Sequence, residues 1–509
     1  MENFKPHIGK NVIETLTLGM YENAHFIYRE YVQNAADQID VAVEDSILEK
    51  KTDGRIDISI DKGNKSISIE DNATGIKVNE VLKFLGDVAN SQKDRTKRKG
   101  FRGIGRLGGL GYCETLIFET SYKGESTKSI ISLNAKQLKK IIEDKTITMD
   151  AATVISVITS LVKFPEDIDK HYFKVKLNNV TNDDLLDGIA VKNYLSMVAP
   201  IPFREDFPFT KKIHESFNKK NVIIEEYDVH LSLNNEKLFK PYKKILHSKT
   251  GNKPVQIIDI DFLKVFNDQN ELIALGWYGI TDLLNNIIHQ DDFERGFRIR
   301  KDNIQIGSED TLNDCFKEDR FNHHFIGEIY VIGDSFIPNA RRDFFNENKT
   351  VKSFKANLKK RFEKLYKLAH TSSDIHSALR KINIYREKKI EFNKKELRSK
   401  YEEQHYNQQI STTGDKAQKA VYVLEKIKEK AEDDNSIQII YNNIVGNLNE
   451  LVDDLNELKI NKQIIEKPAF PKLNTIERKI VLDIFTLIEE NLKINDAENL
   501  KQIIKDYYN

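Results

Sequence analysis

The segment YREYVQNAADQID, residues 28–40, carries Glu30, Asn34 and Asp37 at steps of four and three along an otherwise apolar run. At 3.6 residues per turn those steps gather a carboxylate, an amide and a second carboxylate on one helical face, leaving Ile27, Tyr31, Val32, Ala35, Ala36 and Ile39 for packing. In IEDNATGI, residues 69–76, Asp71 closes a strand-like run and Gly75 follows in a turn. In KGFRGIGRLGGLGY, residues 99–112, glycine recurs at 100, 103, 105, 108, 109 and 111, and small residues in succession let backbone N–H groups approach an anion closely. Each stretch alone has an ordinary explanation: a solvated helix face, a turn cap, a flexible loop. Together they supply the parts of a nucleoside triphosphate site, with a handler of metal and water, a reader of the base and a cradle for phosphates. Mg²⁺ prefers oxygen ligands and keeps several of its waters, so one amide oxygen beside phosphates suits it. A carboxylate one helical turn away can reach one of those waters.

These residues need a helix, a hairpin and a loop to hold them. RIDISI and SISIED alternate with period two around the turn DKGNK and predict an antiparallel hairpin with Asp71 at the end of its second strand. Further strands are predicted at ETLIFETSY, KSIISL and HYFKVKL within residues 1–205, and a second mixed unit over 206–350 takes YDVHLSL, PVQIIDI, ELIALGWYGI, GFRIRKD and FIGEIYVIG. From 351 to 470 Lys/Glu-rich stretches with little glycine predict long helices, paired as a coiled-coil hairpin and interrupted at the polar link NQQISTTGDK. After KPAFPK, apolar residues at helical spacing over 471–509 predict a small helical cap.

Composition narrows the function classes. A chain of 509 residues exceeds one core and suggests several units. With 79 basic and 79 acidic residues it has no global field for nucleic acid or membrane. Cys113 and Cys315 are too few for a disulfide framework or a clustered zinc site, and a reducing cytoplasm is the expected location. No run reaches the roughly 18 apolar residues of a membrane span.

The helix YREYVQNAADQID and the loops EDNATGI and GFRGIGRLGG resemble the successive nucleotide-binding motifs of the GHKL (Bergerat-fold) ATPase superfamily, and most of all its HtpG-type heat-shock branch. The resemblance implies a two-layer α/β sandwich ATPase domain, a mixed α/β transducer domain and a helical C-terminal region. It implies that Asn34 coordinates Mg²⁺, Glu30 orients or deprotonates the attacking water, Asp71 accepts the adenine amino group and Gly75 lines the adenine pocket. Gly103 and Gly105 would give N–H groups to the phosphates, with Asp37, Ser91 and Gly100 completing the nucleotide contacts. Two positions depart from the pattern: Ala73 stands where the family has glycine, and Phe173 where it has threonine. Between the acid loop and the glycine loop, DVANSQKDRTKRKG carries Lys93, Arg95, Lys97, Arg98 and Lys99, and the same interval forms a lid over ATP in the family.

IYVIGDSFIPNARRDFFNEN, residues 329–348, resembles the segment from which a second-domain arginine reaches the terminal phosphate, and Arg342 is its best match, with Arg341 in reserve. The expectation is an ATP- and Mg²⁺-dependent, chaperone-like conformational clamp that hydrolyses ATP slowly, acts as a homodimer on a protein client or effector, and binds no membrane. The alternative is a nucleotide-gated scaffold or DNA-associated component of a microbial defence system with a separate effector. A histidine kinase would need a phospho-acceptor helix ahead of the ATP module. A topoisomerase would need DNA-cleaving machinery for which the chain beyond 350 shows no motif.

Overall fold

The computed structural model describes residues 8–17, 23–86, 105–232, 236–249, 254–395, 400–457 and 470–508. These fall into two compact units, Met1–Gly279 with Asn286–Tyr366, and Ile280–Asn285 with Lys367–Asn509.

In the first unit β1 (Arg55–Asp61) and β2 (Ser66–Asp71) form the expected antiparallel hairpin, with Ile56 opposite Asp71. They join β3 (Thr115–Ser121), β4 (Thr127–Asn134), β5 (Thr159–Pro165), β6 (Tyr172–Asn178), β7 (Asp228–Leu231) and β8 (Glu236–Lys237) in a sheet ordered β5-β4-β3-β6-β2-β1-β7-β8. Buried and more exposed residues alternate along β2, β3 and β4, as a strand with one covered face requires. The covering layer is helical: α1 (Asn11–Thr17), α2 (Phe26–Glu44), α3 (Val81–Gly86), α4 (Ala135–Glu143), α5 (Ala151–Ile158) and α6 (Gly188–Val198). Ile27, Tyr31, Ala35 and Ile39 of α2 share one core with Ile58, Ile69, Phe118 and Leu177 of the sheet. This is a two-layer α/β sandwich.

A six-stranded sheet follows, ordered β13-β12-β14-β11-β10-β9, from β9 (Ile245–His247), β10 (Pro254–Phe266), β11 (Leu272–Thr281), β12 (Gly296–Lys301), β13 (Ile304–Ile306) and β14 (Ile326–Val331). Phe217 of α7 (Thr210–Asn218) meets Tyr330 of β14 at a ring distance of 5.1 Å. The long helix α8 (Lys349–Lys394) also contributes, with Phe354 against Phe336 at 5.5 Å and Phe362 against Phe297 at 4.9 Å.

The second unit is helical: the remainder of α8, α9 (Lys400–Ala431), α10 (Asn435–Ile444), α11 (Leu448–Glu457), α12 (Thr475–Asn491) and α13 (Ile494–Tyr508). Phe392 stacks on Tyr406 while Gly414 lies against the Tyr385 ring, so the end of α8 and the start of α9 pair antiparallel. Glu489 of α12 takes hydrogen bonds from Gln409 of α9 at 3.0 Å and Lys501 of α13 at 2.6 Å.

Two expectations are corrected. The strand expected at YDVHLSL in the second mixed unit is β7, and it pairs parallel with β1 in the first sheet. Alternation identifies a strand but not its sheet, and here Tyr227 decides, its hydroxyl donating to Asp40 of α2 at 2.7 Å. The link NQQISTTGDK is not an interruption but the interior of α9. Thr412 and Thr413 return their hydroxyls to the carbonyls of Gln408 and Gln409, and Gly414 lets the Tyr385 ring approach, so turn-forming residue types are absorbed by a helix. The first compact unit runs to Tyr366, with Phe362 against Phe297 of β12 and Phe354 against Phe336 in the segment after β14.

Candidate functional site

Helix α2 has no proline or glycine, and its apolar residues recur at helical spacing, so its length and its buried face both follow from the sequence. Two tyrosines fix its position. Tyr28 donates to the Leu185 carbonyl at 2.7 Å. Tyr31 donates to the Arg106 carbonyl at 2.9 Å and accepts the Gly109 N–H at 3.2 Å, which ties the helix to the end of the glycine loop. Burial pushes both phenols up, so they remain protonated donors.

Glu30 therefore lies buried beside the loop. A methyl group at Gly105 would fall 2.3 Å from Glu30 Oε2, so glycine is what permits this approach. Arg342 Nε lies 2.8 Å from Glu30 Oε1, and Arg29 Nη2 lies 3.7 Å from the same atom. Arg342 is thus not engaged with its neighbour Asp343, which instead takes a hydrogen bond from Asn339. The Arg342 backbone is left-handed, with φ 59, held between its N–H on the Asn339 carbonyl at 3.2 Å and its own carbonyl on the Gly307 N–H at 2.8 Å. A non-glycine residue in that region carries strain that its surroundings must impose.

One turn along α2, Asn34 is half-buried, and Asp37 beyond it is buried. The acid loop meets the same helix through Thr74, whose hydroxyl donates to Gln38 Oε1 at 3.0 Å. Asp71 is buried at the end of β2 and accepts the Ala73 N–H at 3.1 Å. Gly75 has φ +66, and a Cβ there would come within 1.9 Å of the Ser121 carbonyl oxygen, so both conformation and space demand glycine. Thr120 pins this loop by accepting the Ile76 N–H at 2.8 Å and donating to the Tyr172 carbonyl at 3.0 Å.

The two departures from the family pattern have definite surroundings. Phe173 stands directly opposite Asp71 across β2 and β6 and stacks on Phe118 at 5.9 Å, so an aromatic ring occupies the position expected for a hydroxyl. Ala73 is fully buried in the core of the first unit, and His171 donates through Nδ1 to its carbonyl at 2.8 Å.

The structure brings together Glu30, Gly105 and Arg342 at one end of α2 and joins the loop that follows Asp71 to its middle. Ser91, Gly100 and Gly103, with the basic stretch Lys93–Lys99, lie outside the described residues. Arg341 is exposed. Sequence reasoning missed Arg29. Its signal was a cation beside the acid on a helix whose whole first turn is apolar or aromatic, and it is only 7% exposed.

Burial pushes Cys113, whose Sγ donates to the Gly109 carbonyl at 3.2 Å, and Cys315 up to about 12, so neither is a thiolate near neutrality. Among the described residues no group of three His, Cys, Asp or Glu side chains could hold a metal. A half-buried amide such as Asn34 fits a metal that arrives already bound to phosphates.

Residues 28–163 match the family described as "Histidine kinase-, DNA gyrase B-, and HSP90-like ATPase". With the two-layer sandwich around α2, this makes the first α/β domain one of the GHKL, HSP90-like class. Within that class the chain is similar to proteins named Chaperone protein HtpG. The one from Colwellia psychrerythraea is 36% identical over 85 residues, which are 16% of this chain and 13% of the relative. Those from Anaplasma marginale and Fusobacterium nucleatum are 28% and 31% identical over 138 and 137 residues, in each case 25% of this chain and 21% and 22% of the relative. The chain thus matches less than a quarter of the length of these relatives. No described helix is long and apolar enough to cross a membrane.

Proposed function

We propose that this chain binds and hydrolyses ATP and uses the cycle as a conformational clamp of chaperone-like type. The observation that carries the reading is the pairing of Arg342 with Glu30 at 2.8 Å, because it joins a residue of the segment after β14 to the candidate catalytic carboxylate on α2. The adenine amino group donates to Asp71, and the loop held open by Gly75 borders the ring. The separation of Gln38, which meets the acid loop, from Glu30 is eight residues, about 12 Å along a helix at 1.5 Å per residue, which leaves room for base and triphosphate at opposite ends. Asn34, with Asp37 behind it, would hold Mg²⁺ on the phosphates, where the ion supplies charge neutralisation. Glu30 orients a water and takes its proton as the water oxygen bonds to the γ-phosphorus and the bond to ADP breaks. Arg342 is the cation available to the phosphate charge when the nucleotide is present, and the exchange of its partner from Glu30 to phosphate couples chemistry to domain closure.

Self-association belongs to the same proposal. Ile476, Ile480, Ile484 and Leu487 stand exposed at helical spacing along α12, an apolar stripe suited to a second copy of the chain. Calorimetric titration with MgATP tests the nucleotide assignment. The unaltered chain binds one ATP, and Asp71→Asn loses a charged hydrogen bond of about 1.5–3 kcal/mol, roughly a 10- to 100-fold weakening. Equal affinity in a folded Asp71→Asn protein removes the assignment.

A further inference from the structure

A cavity of about 550 Å³ lies within the first unit, between α2, α6, the strands β12 and β13 and the Arg341–Asp343 segment. None of Asn34, Asp71, Gly75 or Gly105 lines it, and of the residues assigned to ATP only Arg342 does, so the cavity adjoins that site through one shared guanidinium. Its charge is strongly one-sided. Arg29, Arg295, Arg298, Arg341 and Arg342 line it against only two carboxylates, Glu309 and Asp343. Counting Glu30, which faces Arg29 and Arg342, the cations still outnumber the anions.

Three lining side chains also carry buried polar atoms with no hydrogen-bond partner among the described residues: Arg29 Nε, Arg298 Nε and Gln305 Oε1. Arg298 is 2% exposed, and its other nitrogens donate to the Arg295 carbonyl at 2.7 Å and to the Phe293 carbonyl. Gln305 donates through Nε2 to the Gly307 carbonyl at 2.9 Å, which leaves its oxygen unmatched. These three atoms are themselves closed off from solvent, so they add uncompensated polarity to the wall, and what the cavity presents to an occupant is its excess of guanidinium charge. The rest of the wall is mixed, with Phe26, Tyr194, Met197, Val198 and Phe293 beside the polar Asn193 and Thr311.

We propose that this cavity is a second ligand site that takes a small organic phosphate: a phosphate group against the arginines and a ring or short apolar body against Phe26 and Tyr194. A phosphate dianion accepts from several guanidiniums at once, which a single carboxylate cannot do as fully. The volume falls within the range of small-molecule pockets. Arg342 both lines the cavity and pairs with Glu30, so the occupant competes with Glu30 for one guanidinium and thereby adjusts the neighbouring site. This goes beyond the ATPase reading and does not depend on it.

Phenyl phosphate is the probe, titrated calorimetrically into the full chain with and without a saturating non-hydrolysable ATP analogue and Mg²⁺. One site per chain is expected in both conditions, with weaker binding of inorganic phosphate, which lacks the ring. Arg295→Gln is expected to weaken phenyl phosphate at least about tenfold, as loss of a charged hydrogen bond implies. Arg341→Gln, at an exposed position, gives the same direction of change should Arg295→Gln fail to fold. Absence of binding, or equal affinity in the unaltered chain and in every folded arginine variant, overturns the proposal and leaves water as the occupant. A signal abolished by the ATP analogue and unchanged by Arg295→Gln also overturns it, since the probe then occupies the nucleotide site. If the analogue itself does not bind, the ATPase reading fails while the arginine variants still decide this one.

Discussion

Glu30 depends on having glycine opposite it. A Cβ at position 105 would meet its Oε2 at 2.3 Å and its Cδ at 3.1 Å, and the side chain has little freedom to retreat because it is buried and paired with Arg342. Gly105→Ala is therefore expected to keep the fold and bind ATP but to lower phosphate release about 10²-fold, the usual consequence of misplacing a catalytic group by an ångström. An unchanged rate in Gly105→Ala would mean that the carboxylate position is unimportant. Spacing alone put Glu30, Asn34 and Asp37 on one face and marked Asp71 and Gly75 as a strand-end pair, since helical and strand periods are local properties. The partnership of Glu30 with Arg342 is not local. Resemblance singled out Arg342 for phosphate, whereas its pairing with Glu30 and the nearby Arg29 depend on how two distant segments pack.

At the scale of elements, the second sheet is organised around a buried charge cluster that its hydrophobic patterning gave no reason to expect. Glu328 on β14 takes Lys240 Nζ at 2.8 Å, Arg300 Nε, and the hydroxyls of Tyr330 at 2.6 Å and Tyr242 at 3.1 Å. Burial pushes the Glu328 carboxyl up, but Arg300 and Lys240 outweigh it and hold it down at about 2. Because the folded value is depressed below the unfolded one near 4.5, Glu328 contributes stability above that pH and loses it as pH falls towards about 2. Glu328→Gln strands the buried Arg300 guanidinium and takes the anion from Lys240, whose ammonium burial already pulls down to about 7, and is expected to cost about 3–5 kcal/mol at neutral pH. Urea unfolding of both proteins should show that difference intact above pH 5 and closing towards pH 2; a difference independent of pH would contradict the account. β10, β11, β12 and β14 of this sheet were legible from their apolar runs, as was the β1–β2 hairpin. The register of β7, the extent of α9 and the charge cluster were not, because each is decided by partners remote in sequence: β1 for β7, Tyr385 for Gly414, and Arg300 and Lys240 for Glu328.

For the molecule as a whole, the apolar stripe on α12 and the further exposed residues Ile494, Ile503 and Tyr507 on α13 give the C-terminal helices a surface that a lone chain leaves open to water. A chain ending at Tyr366 keeps Phe354 and Phe362 in the first unit and is expected to be a nucleotide-binding monomer, whereas the full chain assembles further. Light scattering after size exclusion separates the two, and identical masses per chain would remove the C-terminal helices from any role in assembly. The central claim is that the face of α2 performs chemistry rather than only binding. Phosphate release by Glu30→Ala at saturating MgATP, beside its ATP affinity, tests that claim most directly. A general base predicts that ATP is retained while the rate falls by about 10²- to 10⁴-fold. Hydrolysis by Glu30→Ala at the rate of the unaltered chain would contradict it and locate the catalytic carboxylate elsewhere.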